Sequence, residues 1–191
     1  MKGQGAPDTS KSDLIIAAAI RVLRDSGYHG MSMRAVAGEA GVSLSNVQYY
    51  YRDKDTLVAA LVDHYMGGCE RELQQWFADM KGLDLVERRK RLLKQALAHG
   101  HGLTEMCLVF REIWALSSRN DTVSASVQRY YASYASLISH GLVAEDAEPE
   151  TRRRLALLLV PYIEGYSIAG AGLRENADDA LALLERVVAM L

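Results

Sequence analysis

The stretch Ser32–Leu57, SMRAVAGEAGVSLSNVQYYYRDKDTL, reads as two short helices meeting at a sharp turn. Val36, Ala37, Ala40, Val42 and Val47 are small or apolar, and Gly41 falls between the two helical patterns, where the chain must bend through a positive φ. The spacing Ala37-x3-Gly41-x5-Val47 is that of a helix-turn-helix, in which the second helix crosses over a small residue and the valines fill the wedge. Ser43 is placed to cap the second helix, which leaves Leu44, Ser45, Asn46, Gln48 and Tyr49 on its outer side as a compact polar surface able to touch base edges. An αα-hairpin that merely packs is the competing structural reading.

From Ala37 to Leu57 the sequence resembles the DNA-reading segment of the tetracycline-repressor (TetR) family of bacterial regulators, roughly A-x-x-A-G-V-S-x-x-x-L-Y-x-Y-F-x-x-K-x-x-L. Ala37, Ala40, Gly41, Val42 and Ser43 fit, Val47 stands for the first leucine, Tyr49, Tyr50 and Tyr51 cover the aromatic cluster, and Lys54 and Leu57 close it. Gln48 departs from the usual tyrosine, and Tyr50 and Tyr51 replace the commoner histidine and phenylalanine. These departures bear on the DNA sequence preferred and leave the expected fold unchanged. Close motif similarity covers about residues 12 to 65. The resemblance implies an all-α chain: a tail and three-helix DNA-binding head over residues 1–53, then a connecting helix and a helical ligand-binding and dimerisation domain over 54–191. It also implies DNA contacts from Arg34, Ser43, Leu44, Ser45, Asn46, Gln48, Tyr49, Tyr50 and Lys54, with Arg34 alternatively a solvated surface charge.

Composition agrees with an all-helical chain. The 191 residues are 49% hydrophobic with only three prolines, enough to bury a core and poor in strand formers. No run of 18 apolar residues occurs, and the start MKGQGAPDTSKS has no apolar segment, so neither a membrane span nor a signal peptide is expected and the location is read as cytoplasmic. Cys69 and Cys107 are isolated thiols of the kind that pack in reducing surroundings. The formal charge is −2, and residues 1–66 hold seven Lys or Arg against seven Asp or Glu. DNA affinity must therefore come from placed cations, helix N-termini and a doubled footprint rather than from bulk charge.

In chain order, Leu14, Ile15, Ala18, Ala19, Val22 and Leu23 mark a bracing helix from Ser12 to Ser26 that Gly27 should stop. Ser32 is a capping candidate for the helix that carries Arg34. A long segment from Lys54 to Met80 follows, and Lys54 in its first turn, beside free backbone N–H groups, suits a phosphate. Further helices are expected at about 85–99, 103–118, 121–140, 150–173 and 177–191. The basic runs Arg88–Arg91 and Arg152–Arg154 read as solvated helix faces offset by Glu87, Glu148 and Glu150.

Met106, Phe110, Trp114, Tyr130, Tyr131, Tyr134 and Tyr162 could wall a cavity for a small-molecule effector, with Glu105, Arg111 or Glu112 orienting a polar group, or could simply be core. The family resemblance, not the periodicity, favours the pocket. His99, His101, Glu105 and Cys107 match no zinc spacing and read as an interhelical loop. No catalytic residue, metal or cofactor is expected. The last two helices carry more apolar surface than one small core needs, which points to a homodimer through them. The reading that results is a homodimeric regulator, a repressor of a double-stranded DNA operator released by a ligand. A non-sensing architectural DNA-binding protein is the alternative, and an enzyme using the histidine–cysteine region a third.

Overall fold

A computed structural model of the chain describes residues 10–100, 105–144, 146–173 and 177–190. Among these it contains nine α-helices: α1 Lys11–Gly30, α2 Met33–Ala40, α3 Leu44–Tyr50, α4 Lys54–Asp79, α5 Leu85–Gly100, α6 Glu105–Ser117, α7 Asp121–Leu142, α8 Pro149–Leu173 and α9 Ala177–Ala189. The fold is all-α, as expected. None of the described helices is long and apolar enough to cross a membrane.

The chain forms two compact units. The first joins the described residues up to Met66 with Val109–Ser126. Its α1 begins one residue before the expected start, because the Ser10 side chain takes the amide of Asp13 at 3.1 Å. Ile15, Ile16, Ala18, Ala19, Val22 and Leu23 recur at helical spacing and are buried. Helical backbone breaks at Gly27, whose φ of 63° and ψ of 177° end the regular run at the stop expected there. The core of this unit is completed by Val36 and Val47 of the two short helices, Leu57, Leu61 and Val62 of α4, and Val109 and Ile113 of α6, all buried. The Tyr51 hydroxyl shares a 2.8 Å hydrogen bond with Ser12, so the last of the three tyrosines is turned inward to fasten the turn helix to α1.

The second unit comprises Gly67–Leu108 and Val127–Leu191. Its α5 packs on α8 and α9, burying Leu92, Leu93 and Leu97 with Leu155, Leu159, Ile163, Leu184 and Val188. Leu73 of α4 and Tyr134, Ile138 and Leu142 of α7 join the same core. Two of the arginines expected to be solvated are instead used structurally. Arg88 donates to the carbonyls of Gly141 and Val143 at 2.8 and 3.0 Å, and Arg89 to that of Leu142 at 2.6 Å. Those are carbonyls at the C-terminal end of α7, where helical partners run out and negative partial charge collects. In the second basic run Arg153 and Arg154 are exposed as expected and pair with Glu150 at 2.8 and 3.0 Å, whereas Arg152 is half-buried.

Candidate functional site

The turn between α2 and α3 is assembled by local rules. Ser32 caps α2 by accepting from the amide of Ala35 at 3.1 Å, and Ser43 caps α3 by accepting from Asn46 at 3.2 Å. Gly41 sits in the left-handed region at φ 66°, ψ 29°, while a Cβ there would meet nothing within 4 Å. Glycine is thus required by the backbone angle rather than by crowding. Val36 and Val47 are sealed, and Ala37 is 4% exposed under the crossing of the two helices.

With Val47 as its only fully buried residue, α3 presents the rest outward. Ser43, Ser45, Gln48, Tyr49 and Tyr50 are exposed, Leu44 and Asn46 half-buried, and Arg34 on α2 exposed. Tyr49 is 83% exposed and meets the Tyr50 ring edge to face at 5.2 Å, a large aromatic pair held in water without a protein partner to bury it. Asp53 precedes α4 and caps it, taking the amide and hydroxyl of Thr56 at 2.9 and 2.7 Å. These bonds, then Arg52, hold its carboxyl down to about 2.

Lys54 is placed differently from a side chain reaching into solvent. Its ammonium donates to the carbonyl of Tyr28 at 2.7 Å and lies 3.8 Å over that ring's centroid. Burial lowers its pKa, with Asp55 pulling the other way. The same residue is held from its other side, since the Tyr28 amide donates to the Glu112 carboxylate at 3.0 Å. Glu112, which the sequence offers as a ligand-orienting group, thereby ties α6 to the last turn of α1, beyond the break at Gly27.

The residues expected to wall an effector pocket divide between the units. Phe110, edge-on to Tyr65 at 5.9 Å, and Trp114, 40% exposed, belong to the first. Tyr130, Tyr131, Tyr134 and Tyr162 belong to the second. There Tyr130 and Tyr134, one helical turn apart, stack at 5.9 Å and 13°, Tyr131 meets Tyr130 edge-on at 5.4 Å, and on α8 Tyr162 stacks on Tyr166 at 6.1 Å. The side chain of Met106 lies outside the described residues, as does most of the histidine–cysteine loop. Among the described residues no group of three metal-binding side chains occurs.

One residue of this cluster is not among the pocket candidates that the sequence offers. Glu164 is half-buried, accepts a hydrogen bond from the Tyr131 hydroxyl, and has its carboxyl pushed up to about 7 by burial. A signal for it exists: Glu164 is the single charged residue in the 19 positions from Leu155 to Leu173.

A glycine-turned helix pair with a capped, outward-facing polar second helix defines a helix-turn-helix DNA-binding regulator. Residues 15–61 match the family model described as bacterial regulatory proteins, tetR family. The chain is 33% identical to an HTH-type transcriptional regulator in the dhlA 5′ region of Xanthobacter autotrophicus, over 96% of this chain and 91% of that one. It is 27% identical, over 81% and 80% of the two chains, to the nicotine-responsive transcriptional repressor HdnoR of Paenarthrobacter nicotinovorans. A transcriptional regulator from Rhodococcus sp. RHA1 has the same fold, with a TM-score of 0.73 at 21% identity over 95% of each chain. The protein belongs to the TetR family of transcriptional regulators.

Proposed function

We propose that this chain is a homodimeric repressor that grips a pseudo-palindromic operator through α3 of each copy and is released by a small molecule. Residues 1–53 serve as the DNA-reading head and 54–191 as the regulatory and dimerising part, a division of roles rather than of compactness. The observation that carries the DNA half is the exposed polar face of α3. Ser45, Asn46 and Gln48 supply donors and acceptors to base edges, and Tyr49 and Tyr50 supply apolar contact and hydroxyls. Arg34, Ser43, Leu44 and Lys54 complete the footprint. An ammonium has three donors, so Lys54 can keep its bond to Tyr28 and still meet a phosphate.

Dimerisation is supported by a stripe on α8. Leu157, Pro161, Gly165 and Ile168 follow one another at helical spacing and are all exposed, Leu157 at 62% and Ile168 at 55%; Leu183 on α9 is 54% exposed. An apolar line of this kind is buried economically against a copy of itself across a two-fold axis. For release, Met106, Tyr130, Tyr131, Tyr134 and Tyr162, all of the second unit, are the proposed effector contacts, and a relative named for its response to nicotine supports the ligand-responsive reading. The grip of Glu112 on Tyr28 supplies a link, because any displacement of α6 is felt directly at the last turn of α1 beside Lys54. The test is to recover bound fragments from genomic DNA with the purified dimer and to screen a chemically mixed library for release. A site that no compound releases favours the architectural reading.

A further inference from the structure

Tyr28 is held from two sides by helices distant from it in sequence. Its amide donates to the Glu112 carboxylate of α6 at 3.0 Å, and its carbonyl accepts from the Lys54 ammonium of α4 at 2.7 Å. The same carbonyl accepts from the amide of Met31 at 3.3 Å, one residue before the cap of α2. The break at Gly27 creates the need for Glu112. It begins a new turn whose first amide is that of Tyr28, and the first amides of a helical turn find no partner within it.

The carboxylate is fitted into the break itself. A Cβ at Gly27 would lie 3.2 Å from Oε2 of Glu112 and 3.4 Å from its Cδ and Oε1, so the carboxylate fills the side of Gly27 that carries no side chain. The glycine thus serves twice, by adopting φ 63° and ψ 177°, which other residues avoid, and by leaving this room. Glu112 is half-buried, and a hydrogen bond from an amide to an ionised carboxylate is of the stronger kind. Downstream, Met31 is buried and Ser32 caps α2. The turn that Glu112 holds therefore sets where α2 begins, and α3 follows α2 through Gly41.

Resting on the reading of α3 as the DNA-contacting face, and with no effector needed, we propose that Glu112 is a positioning residue for DNA binding. Acting through Tyr28, it fixes the turn from which α2 departs and on which Lys54 is seated, and so sets α3 and the Lys54 ammonium for the duplex. Tyr28, Lys54 and Glu112 all belong to the first compact unit, so the hold is internal to the body that carries α3. A bond that only stabilised this unit would leave the affinity of the folded protein unchanged. A bond that positions it makes affinity depend on the acceptor at residue 112.

The test measures binding of the full-length protein to two fluorescent duplexes of equal length, one carrying a genomic site recovered by the purified protein and one of mixed sequence, with thermal unfolding of each variant beside it. Glu112→Ala, which leaves the Tyr28 amide without its acceptor, should weaken both duplexes about tenfold at a temperature where the variant is folded. Glu112→Asp, one methylene short of the amide, should weaken them likewise and serves if the alanine variant unfolds. Glu112→Gln, whose amide oxygen still accepts from Tyr28, should stay within about threefold of wild type. Gly141→Ala, a packing change in the second unit, should lower stability and leave both affinities as they are. The assignment is overturned if the folded alanine or aspartate variant binds as wild type does, if Glu112→Gln loses as much as they do, or if Gly141→Ala loses affinity as they do. Wild type binding the two duplexes alike would end the operator reading, while a tenfold loss on both by Glu112→Ala would keep Glu112 in its role; wild type binding neither would remove both.

Discussion

Lys54 clasps Tyr28 twice, by a 2.7 Å hydrogen bond to its carbonyl and by an ammonium 3.8 Å over its ring, and so fixes the start of α4 against the last turn of α1, beyond the break at Gly27. With the Tyr28 amide held by Glu112, one peptide segment is gripped by α4 and α6 together. The ammonium that makes this clasp is also the one proposed to meet a phosphate, and the two roles have separable consequences.

Lys54→Ala should weaken cognate and random DNA together, since phosphate contacts carry little sequence information, and should lower the log–log salt slope by about 1 per subunit. Loss of the bond to Tyr28 should lower stability as well, by about 1–2 kcal/mol. Binding isotherms at several salt concentrations, beside urea unfolding, separate the two. An unchanged slope with reduced stability would leave Lys54 a structural clasp only.

Asn46→Ala and Gln48→Ala should change preference rather than overall affinity. An amide can pair in two places with adenine, each good pair discriminating by about 1–3 kcal/mol. The ranking of binding sites by each folded variant is the measurement. A preserved ranking in both would remove them as base readers.

Stability should depend on pH through Glu164. Its folded pKa of about 7 stands above an ordinary 4.5, so the folded chain binds that proton more tightly than the unfolded chain does. The contribution is complete below pH 4.5 and is lost as pH rises through 7. Asp53 and Glu150, held at about 2, titrate below that window. Tyr130 and Tyr134, whose phenols are pushed up by burial first and by the Glu164 charge in part, stay neutral across it. Glu164→Gln should therefore match wild type at pH 4.5 and exceed it at pH 8 by something on the order of 2 kcal/mol in urea unfolding. Equal stability at pH 8 would show the carboxyl to be solvated.

Gly141→Ala tests the packing of the second unit. A Cβ at this position would run into the Phe77 ring and Leu92, on the last turn of α7 whose carbonyls Arg88 and Arg89 hold. The substitution should cost about 1–3 kcal/mol, read by thermal or urea unfolding. No loss would mean that Phe77 yields without strain.

What the sequence discloses and what it withholds divide by range of interaction. Gly41, Ser32 and Ser43 act on residues within five positions of themselves, so the turn, its two caps and the exposed face of α3 are legible in the residue order alone. The stop at Gly27 is local in the same way. Lys54 on Tyr28, 26 positions away, Arg88 on Gly141, 53 away, and Glu112 on Tyr28, 84 away, depend on how helices meet, and no spacing encodes that. Arg88 and Arg89 depart from expectation for this reason: a basic run on a helix looks solvated until another helix ends beside it. The tyrosines of α7 are legible as a cluster, while the half-burial of Glu164 depends on the helices around it and is not encoded in its spacing.

Footprinting on genomic fragments recovered by the purified protein addresses the proposed function most directly. If two copies present their α3 faces together, the protected site should be an inverted repeat whose half-sites are centred about 10 base pairs, or a multiple of that, apart. Its protection should fall when Leu157→Glu or Ile168→Glu makes the protein monomeric. Protection of an unrepeated sequence, of no preferred sequence, or of the same repeat by a monomer would contradict a two-fold repressor reading DNA through α3.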